Sequence, residues 1–178
     1  MRKMVLVVLG SVFAIGCAAP SQPPAESAAS AGPTPKPYGN LAQVMQGIPF
    51  PASNLIFDTQ SSDPGAAKTA DGANATAQYS GVYGGWTAVE NAALALSETA
   101  NLIMIPGRLC KNGRPVPLDQ DVFKKAAQGL ADAGQAALKA AQAKNLDAMV
   151  EVSGTVSDAC AACHEKYRDT PDEKDRCM

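Results

Sequence analysis

Apolar residues recur along most of this chain at intervals of three and four, which only a helix turns into one continuous face. The clearest case is Phe123, Ala126, Ala127, Leu130, Ala133, Ala137 and Ala141. Leu41, Val44, Met45 and Ile48 repeat the spacing, as do Val89, Ala92, Ala93, Leu96, Ala100 and Ile103. No stretch alternates with period two, and no internal repeat is visible. Aromatics are only 5% of the residues, which suits close packing of small-residue helices better than a sheet.

Boundary signals divide the chain. Helix A is expected over 39–59, broken near Pro49 because proline cannot continue the backbone ladder. Residues 60–84 read as a long loop. Helix B begins near Trp86 and stops at Pro106-Gly107. A connector with turn chemistry at Asn112-Gly113 leads to helix C, for which Asp119 is the expected N-cap. Lys144-Asn145 forms a corner, and helix D runs from about Leu146 to Arg168 before Pro171. Four such helices, at least two of them joined by short connections, predict an all-α, antiparallel four-helix bundle.

The first residues have another purpose. Arg2 and Lys3 precede an apolar run from Val5 to Ile15 that is short for a bilayer span, the pattern of an export signal over residues 1–16. It ends in AIGC, which resembles a bacterial lipobox with Cys17 as the lipidated residue. Ala14 stands where leucine is commonest, and ordinary cleavage near Ala19 is the competing reading. Residues 17–37 are rich in Pro, Ala and Ser and read as a disordered tether. The domain proper is expected over 38–178, outside the cytoplasm, as a periplasmic protein tethered to the membrane through its lipid. Net charge is −2 and no basic run exists, so nucleic acid is not an expected partner.

In an exported chain, cysteines are paired, modified or metal-bound. The five are Cys17, Cys110, Cys160, Cys163 and Cys177. The stretch CAACHEKYR, residues 160–168, contains C-x-x-C-H and the chain's single histidine, His164. This is the attachment sequence of haem c. Two thiols one helical turn apart can add to the two vinyl groups of the porphyrin, and the adjacent imidazole becomes an axial iron ligand. Cys160, Cys163, His164 and Tyr167 fall within about 100° of helix arc. Met149, Ser153 and Val156 extend that face as an expected apolar bed. A thioredoxin-like reading lacks the strand that should precede the motif. A zinc reading would have to recruit Cys110 and Cys177, whose spacing is unlike a zinc site. A Cys160–Cys163 disulfide suits a helix poorly. Cys110 and Cys177 are expected to pair with each other, pinning the tail to the connector; two free thiols is the alternative.

The motif near the end of the last helix of a four-helix chain resembles the class II c-type cytochromes, the cytochrome c-prime and cytochrome c-556 group. Their pattern C-x-x-C-H-x-x-[FY]-[RK] is met by Cys160, Cys163, His164, Tyr167 and Arg168. The resemblance covers Tyr38 to about Arg168. It implies haem c, a distal residue on helix A, a basic residue (Arg168) near the proximal histidine, and frequent homodimers.

With one histidine, bis-histidine ligation within a chain is excluded. The resemblance makes Met45 the candidate sixth ligand, as in the c-556 type. Plain packing is its alternative, and Ile48 or Phe50 could then cap the iron. Arg168 would pair with a propionate or raise the haem potential, or complement the helix end. Tyr167 would pack on the ring edge or in the core. Trp86, Tyr79 and Tyr83 would line the haem edge or cap the bundle.

The expected function is one-electron transfer with redox-partner proteins. The alternative is a five-coordinate haem that binds NO or CO. A haem-free helical lipoprotein with a redox CxxC is a third reading. No catalytic base accompanies the motif, so an enzyme is not expected.

Overall fold

The computed structural model describes residues 34–66 and 83–177. The export signal, Cys17, most of the tether, Tyr79 and Met178 lie outside the described residues. Helices pack on helices throughout, and the only β-pairing among the described residues is an isolated bridge between Leu109 and Pro115.

Helix A is two pieces. The first, α1 (Leu41–Gly47), starts at a capping box in which Asn40 Oδ1 accepts from the Gln43 backbone N–H and Gln43 Oε1 accepts from that of Asn40, both at 2.9 Å. The second, α2 (Pro49–Phe57), starts with a proline at its first position, where a missing N–H costs nothing. Ile48, with φ −124° and ψ −69°, is the joint. The break expected at Pro49 is therefore present. A 3₁₀ turn, Asp58–Gln60, prolongs α2.

Helix α3 spans Gly85–Ile103. Gly85 has φ +58°, and a Cβ there would stand 3.2 Å from the carbonyl of Pro64, so the entry to α3 requires glycine. The connector 104–120 turns at Gly107 and Gly113, both at φ +82°. Helix α4 spans Asp121–Gln142 and α5 Leu146–Tyr167. Asp119 is not the N-cap of α4. That position is Gln120, whose side chain makes no capping bond, and Asp121 in the first turn complements the helix dipole instead. The corner 143–145 folds α5 back along α4, with Lys144 at φ +50° and Asn145 Oδ1 accepting from Ala148 N–H at 3.0 Å.

The core has two clusters. The larger joins α2, α3, α4 and α5 through Ile56, Val89, Leu96, Leu130, Met149 and Val156. The smaller joins Leu41, Ile103, Phe123 and Tyr167 to the connector through Val116, Cys110 and Cys177. Alanines dominate α3 and α4, so their backbones approach closely. At Gly134 an added Cβ would stand 2.5 Å from Ser97 Oγ.

Met149 and Val156 belong to the larger core and Ser153 is buried beside them, at 0, 0 and 2% exposure. They do not form a bed for a cofactor. They lie on the same stripe as Cys160 and Cys163 but nearer the start of α5, where α4, α2 and the 3₁₀ turn after α2 close over them. Helical spacing reports the face of a residue and not its height along the axis.

Candidate haem-binding cleft

At the lower end of α5 the bundle opens into a cleft of about 400 Å³. Ser157, Ala159, Cys160, Cys163, His164 and Arg168 form its α5 wall. Ala42 and Met45 reach it from α1, and Pro49, Phe50, Ser53 and Phe57 from α2. Ile103 of α3, Ala126, Ala127 and Leu130 of α4, and the polar Gln46 of α1 and Asn54 of α2 complete the lining. The volume is in the range of small-molecule and cofactor sites. The walls are mainly aliphatic and aromatic, and no carboxylate lines them.

Cys160 and Cys163 are free, half-buried thiols one turn apart. Burial pushes both up, and Cys163 reaches about 11 because Cys160 adds to its desolvation. His164 is half-buried, and burial first, then the nearby Arg168 charge, holds its imidazole below the usual value. Arg168 donates from Nε and Nη2 to the two carboxylate oxygens of Asp169, at 2.7 and 2.8 Å. Its Nη1 stands 2.8 Å from Nδ1 of His164. A guanidinium can only donate, so Nδ1 accepts and the ring is neutral.

This donor set fits haem c. Two protonated thiols at helical spacing, an imidazole beside the second, and an apolar slot between helices are what covalent attachment and axial ligation need. The zinc alternative fails on a positive observation: Cys110 and Cys177 are bonded to each other.

Met45 is half-buried and shares the cleft with His164. Phe50 lines it too and is 66% exposed. Ile48 is not among the lining residues. Tyr167 is not brought to the cleft. It is 6% exposed in the smaller core, edge-on to Phe123 at 5.4 Å, and its hydroxyl donates to Gln120 Oε1 at 2.8 Å. Trp86 packs against the larger core, and Tyr83 is 60% exposed in a groove with Leu55 and Thr59. Neither touches the cleft.

The Cys110–Cys177 disulfide spans 67 residues, and both cysteines are buried. Sequence spacing did not reveal Gln46, Asn54 or Phe57 as lining residues, nor Arg108, which is buried in the connector outside the lining. Arg108 lies in a connector without periodicity. Phe57 sits on α2 beyond a break whose geometry the spacing cannot predict.

No curated protein and no solved structure matches the chain. Residues 116–168 match the family model described as Cytochrome C'. That segment runs from the end of the connector through α4 and α5 to the arginine after the haem motif, and it supports for this chain a class II, cytochrome c-prime type family whose cofactor is haem c with its iron.

Proposed function

We propose that the protein is a non-enzymatic electron carrier, its haem c held by Cys160 and Cys163 and ligated by His164, with Met45 as the sixth ligand. The observation that carries this reading is that Met45 of α1 and His164 of α5 line one cleft. Bound haem c supplies reversible one-electron exchange between ferric and ferrous iron.

The chain's own residues have separable tasks. Cys160 and Cys163 would fix the cofactor to α5 by thioether bonds. His164 would offer Nε2 to the iron, which requires the proton of the neutral ring to move to Nδ1 and the Arg168 guanidinium to turn off that atom. Leu130, Ile103 and Phe57 exclude water, which strengthens electrostatic interactions inside the cleft. Met45 offers a soft thioether, which favours the ferrous state. Arg168 adds positive charge beside the proximal ligand. Tyr167 buttresses Cys163 from behind, through the smaller core.

Absorption and EPR spectra of the purified holoprotein test this reading. A low-spin iron in both oxidation states is expected, turning high-spin in Met45→Ala. A Met45→Ala spectrum identical to that of the parent would refute ligation.

A second reading, binding of NO or CO at an open sixth position, draws support from Pro49 and Phe50. They stand beside Met45 in the same wall and offer the iron no donor. Ready uptake of CO by the parent protein would favour it.

The compartment and partners complete the proposal. Among the described residues no helix is long and apolar enough to cross a membrane. Export by residues 1–16 and lipidation at Cys17 would tether the domain in the periplasm, where it would exchange electrons with partner proteins, as a monomer or a homodimer. Labelling with a fatty-acid analogue, lost in Cys17→Ser, tests the anchor.

A further inference from the structure

Four consecutive connector residues hold two different parts of the molecule. Arg108 donates from Nη1 to the carbonyl of Gly39 at 2.7 Å, just before α1. The carbonyl of Leu109 accepts from the N–H of Leu41, the first residue of α1, at 2.8 Å. Cys110 is bonded to Cys177, and the N–H of Lys111 donates to the carbonyl of Cys177 at 3.0 Å. Cys177 in turn donates its N–H to the carbonyl of Tyr167 at 2.7 Å. Tyr167 is the last residue of α5, three positions after His164.

We propose that residues 108–111 form a brace that sets the separation between α1 and the end of α5, and that Arg108 is the positioning residue on the α1 side. The consequence for Met45 rests on the reading that this residue governs the sixth position.

Three observations support the assignment. First, α1 has seven residues, too few to be stable alone, and its ladder is interrupted just after Ile48 by Pro49 and Pro51, which have no N–H to donate. Its placement therefore depends on what holds its start. Second, Arg108 is 4% exposed, and among the described residues no carboxylate pairs with it. Its Nε and Nη2 both donate to the carbonyl of Leu102, at 3.1 and 2.7 Å, at the negative end of α3. A buried guanidinium neutralised only by backbone carbonyls is held in one geometry by its planar fork, which lysine cannot reproduce. Third, the tie borders the cleft. Ala42 lies one residue beyond Leu41 and Ile103 one beyond Leu102, and both line it.

The test uses the full-length holoprotein and compares Arg108→Ala and Arg108→Lys with Ala137→Gly, a core change away from the cleft that lowers stability alone. Haem content, the low-spin to high-spin ratio by EPR, and the CO dissociation constant are measured. Arg108→Ala is expected to keep its haem, to shift the spin ratio and to change CO affinity by about tenfold or more. Arg108→Lys should fall between it and the parent, and Ala137→Gly should match the parent. Spin ratio and CO affinity within about twofold of the parent in Arg108→Ala would overturn the brace. Should Arg108→Ala yield no holoprotein, Arg108→Lys and the double variant Cys110→Ser, Cys177→Ser decide. A change of CO affinity in both supports the brace, and no change in either overturns it. Met45→Ala separates the two ideas. If it leaves the spectrum unaltered, ligation fails while the brace is still read from CO affinity.

Discussion

Nη1 of Arg168 lies 2.8 Å from Nδ1 of His164, one helical turn earlier, while the rest of the guanidinium is clamped on Asp169. A cation this close to the proposed axial ligand would disfavour further positive charge on the metal. Arg168→Gln is therefore expected to lower the reduction potential. The side chain is about half exposed, so solvent and salt screen the effect to about 1 kcal/mol at most, or about 40 mV. Potentiometric titration at low and high salt measures it. An unchanged potential at low salt would assign Arg168 to the helix end alone.

The haem thiols should be sluggish before attachment. Burial and Cys160 push Cys163 up to about 11, against 9.0 for a free thiol. At pH 8 that leaves roughly a hundredfold less thiolate, and alkylation of the haem-free chain should slow accordingly. The folded value lies above the unfolded one, so the folded chain holds the proton more tightly. Its contribution to stability is complete below pH about 9 and is lost as pH rises through about 11, on the order of 2 kcal/mol. Urea titrations of the haem-free chain at pH 8 and 10.5 should show this loss, and a smaller one in haem-free Cys163→Ser.

Removal of the disulfide should destabilise the holoprotein without releasing haem. The bridge closes 67 residues, worth at most about 4 kcal/mol in the chain-entropy description. Denaturant midpoints for Cys110→Ser with Cys177→Ser give the value. Haem released during denaturing electrophoresis would contradict attachment through Cys160 and Cys163 alone.

Glycines in α4 and α5 should respond in opposite directions to alanine. A methyl at Gly134 would meet Ser97 Oγ at 2.5 Å and the Ser97 backbone nitrogen at 2.7 Å, so α3 and α4 must separate. Overpacking of this kind costs about 1–3 kcal/mol. Gly154 is exposed and faces open space, and Gly154→Ala should stabilise α5 by about 0.5–1 kcal/mol. Thermal melts of the two variants should move apart. Equal shifts would deny the close contact at Gly134.

Legibility in the sequence followed the physics of each feature. Apolar spacing located α3, α4 and α5, because the face of a helix is a local property and Pro106-Gly107 and Asn145 mark its ends. The joint at Pro49 was legible because proline lacks an N–H. The gathering of Cys160, Cys163 and His164 on one cleft wall was legible from their spacing along a helix, and the Cys110–Cys177 pair because few thiols remained. Depth along an axis was not. Met149, Ser153 and Val156 share a stripe with the motif, yet the bundle closes over them. Tyr167 fits the motif, but Phe123 and Gln120, distant in sequence, hold it in the core. Asp119 had the chemistry of a cap and missed the position by one residue. Arg108 and Gly134 act through non-local contacts that no local pattern records.

The joint at Ile48 divides the first helix into two halves with different masters. Pro49 and Pro51 supply no N–H to the carbonyls of Met45 and Gly47, so tilt is not transmitted rigidly across it. Ala52 and Ile56 answer to the larger core, whereas Leu41 and Met45 answer to the smaller one beside the cleft. Selection can therefore re-aim the cleft wall that carries Met45, by substitution or a one-residue insertion at this joint, without moving the larger core.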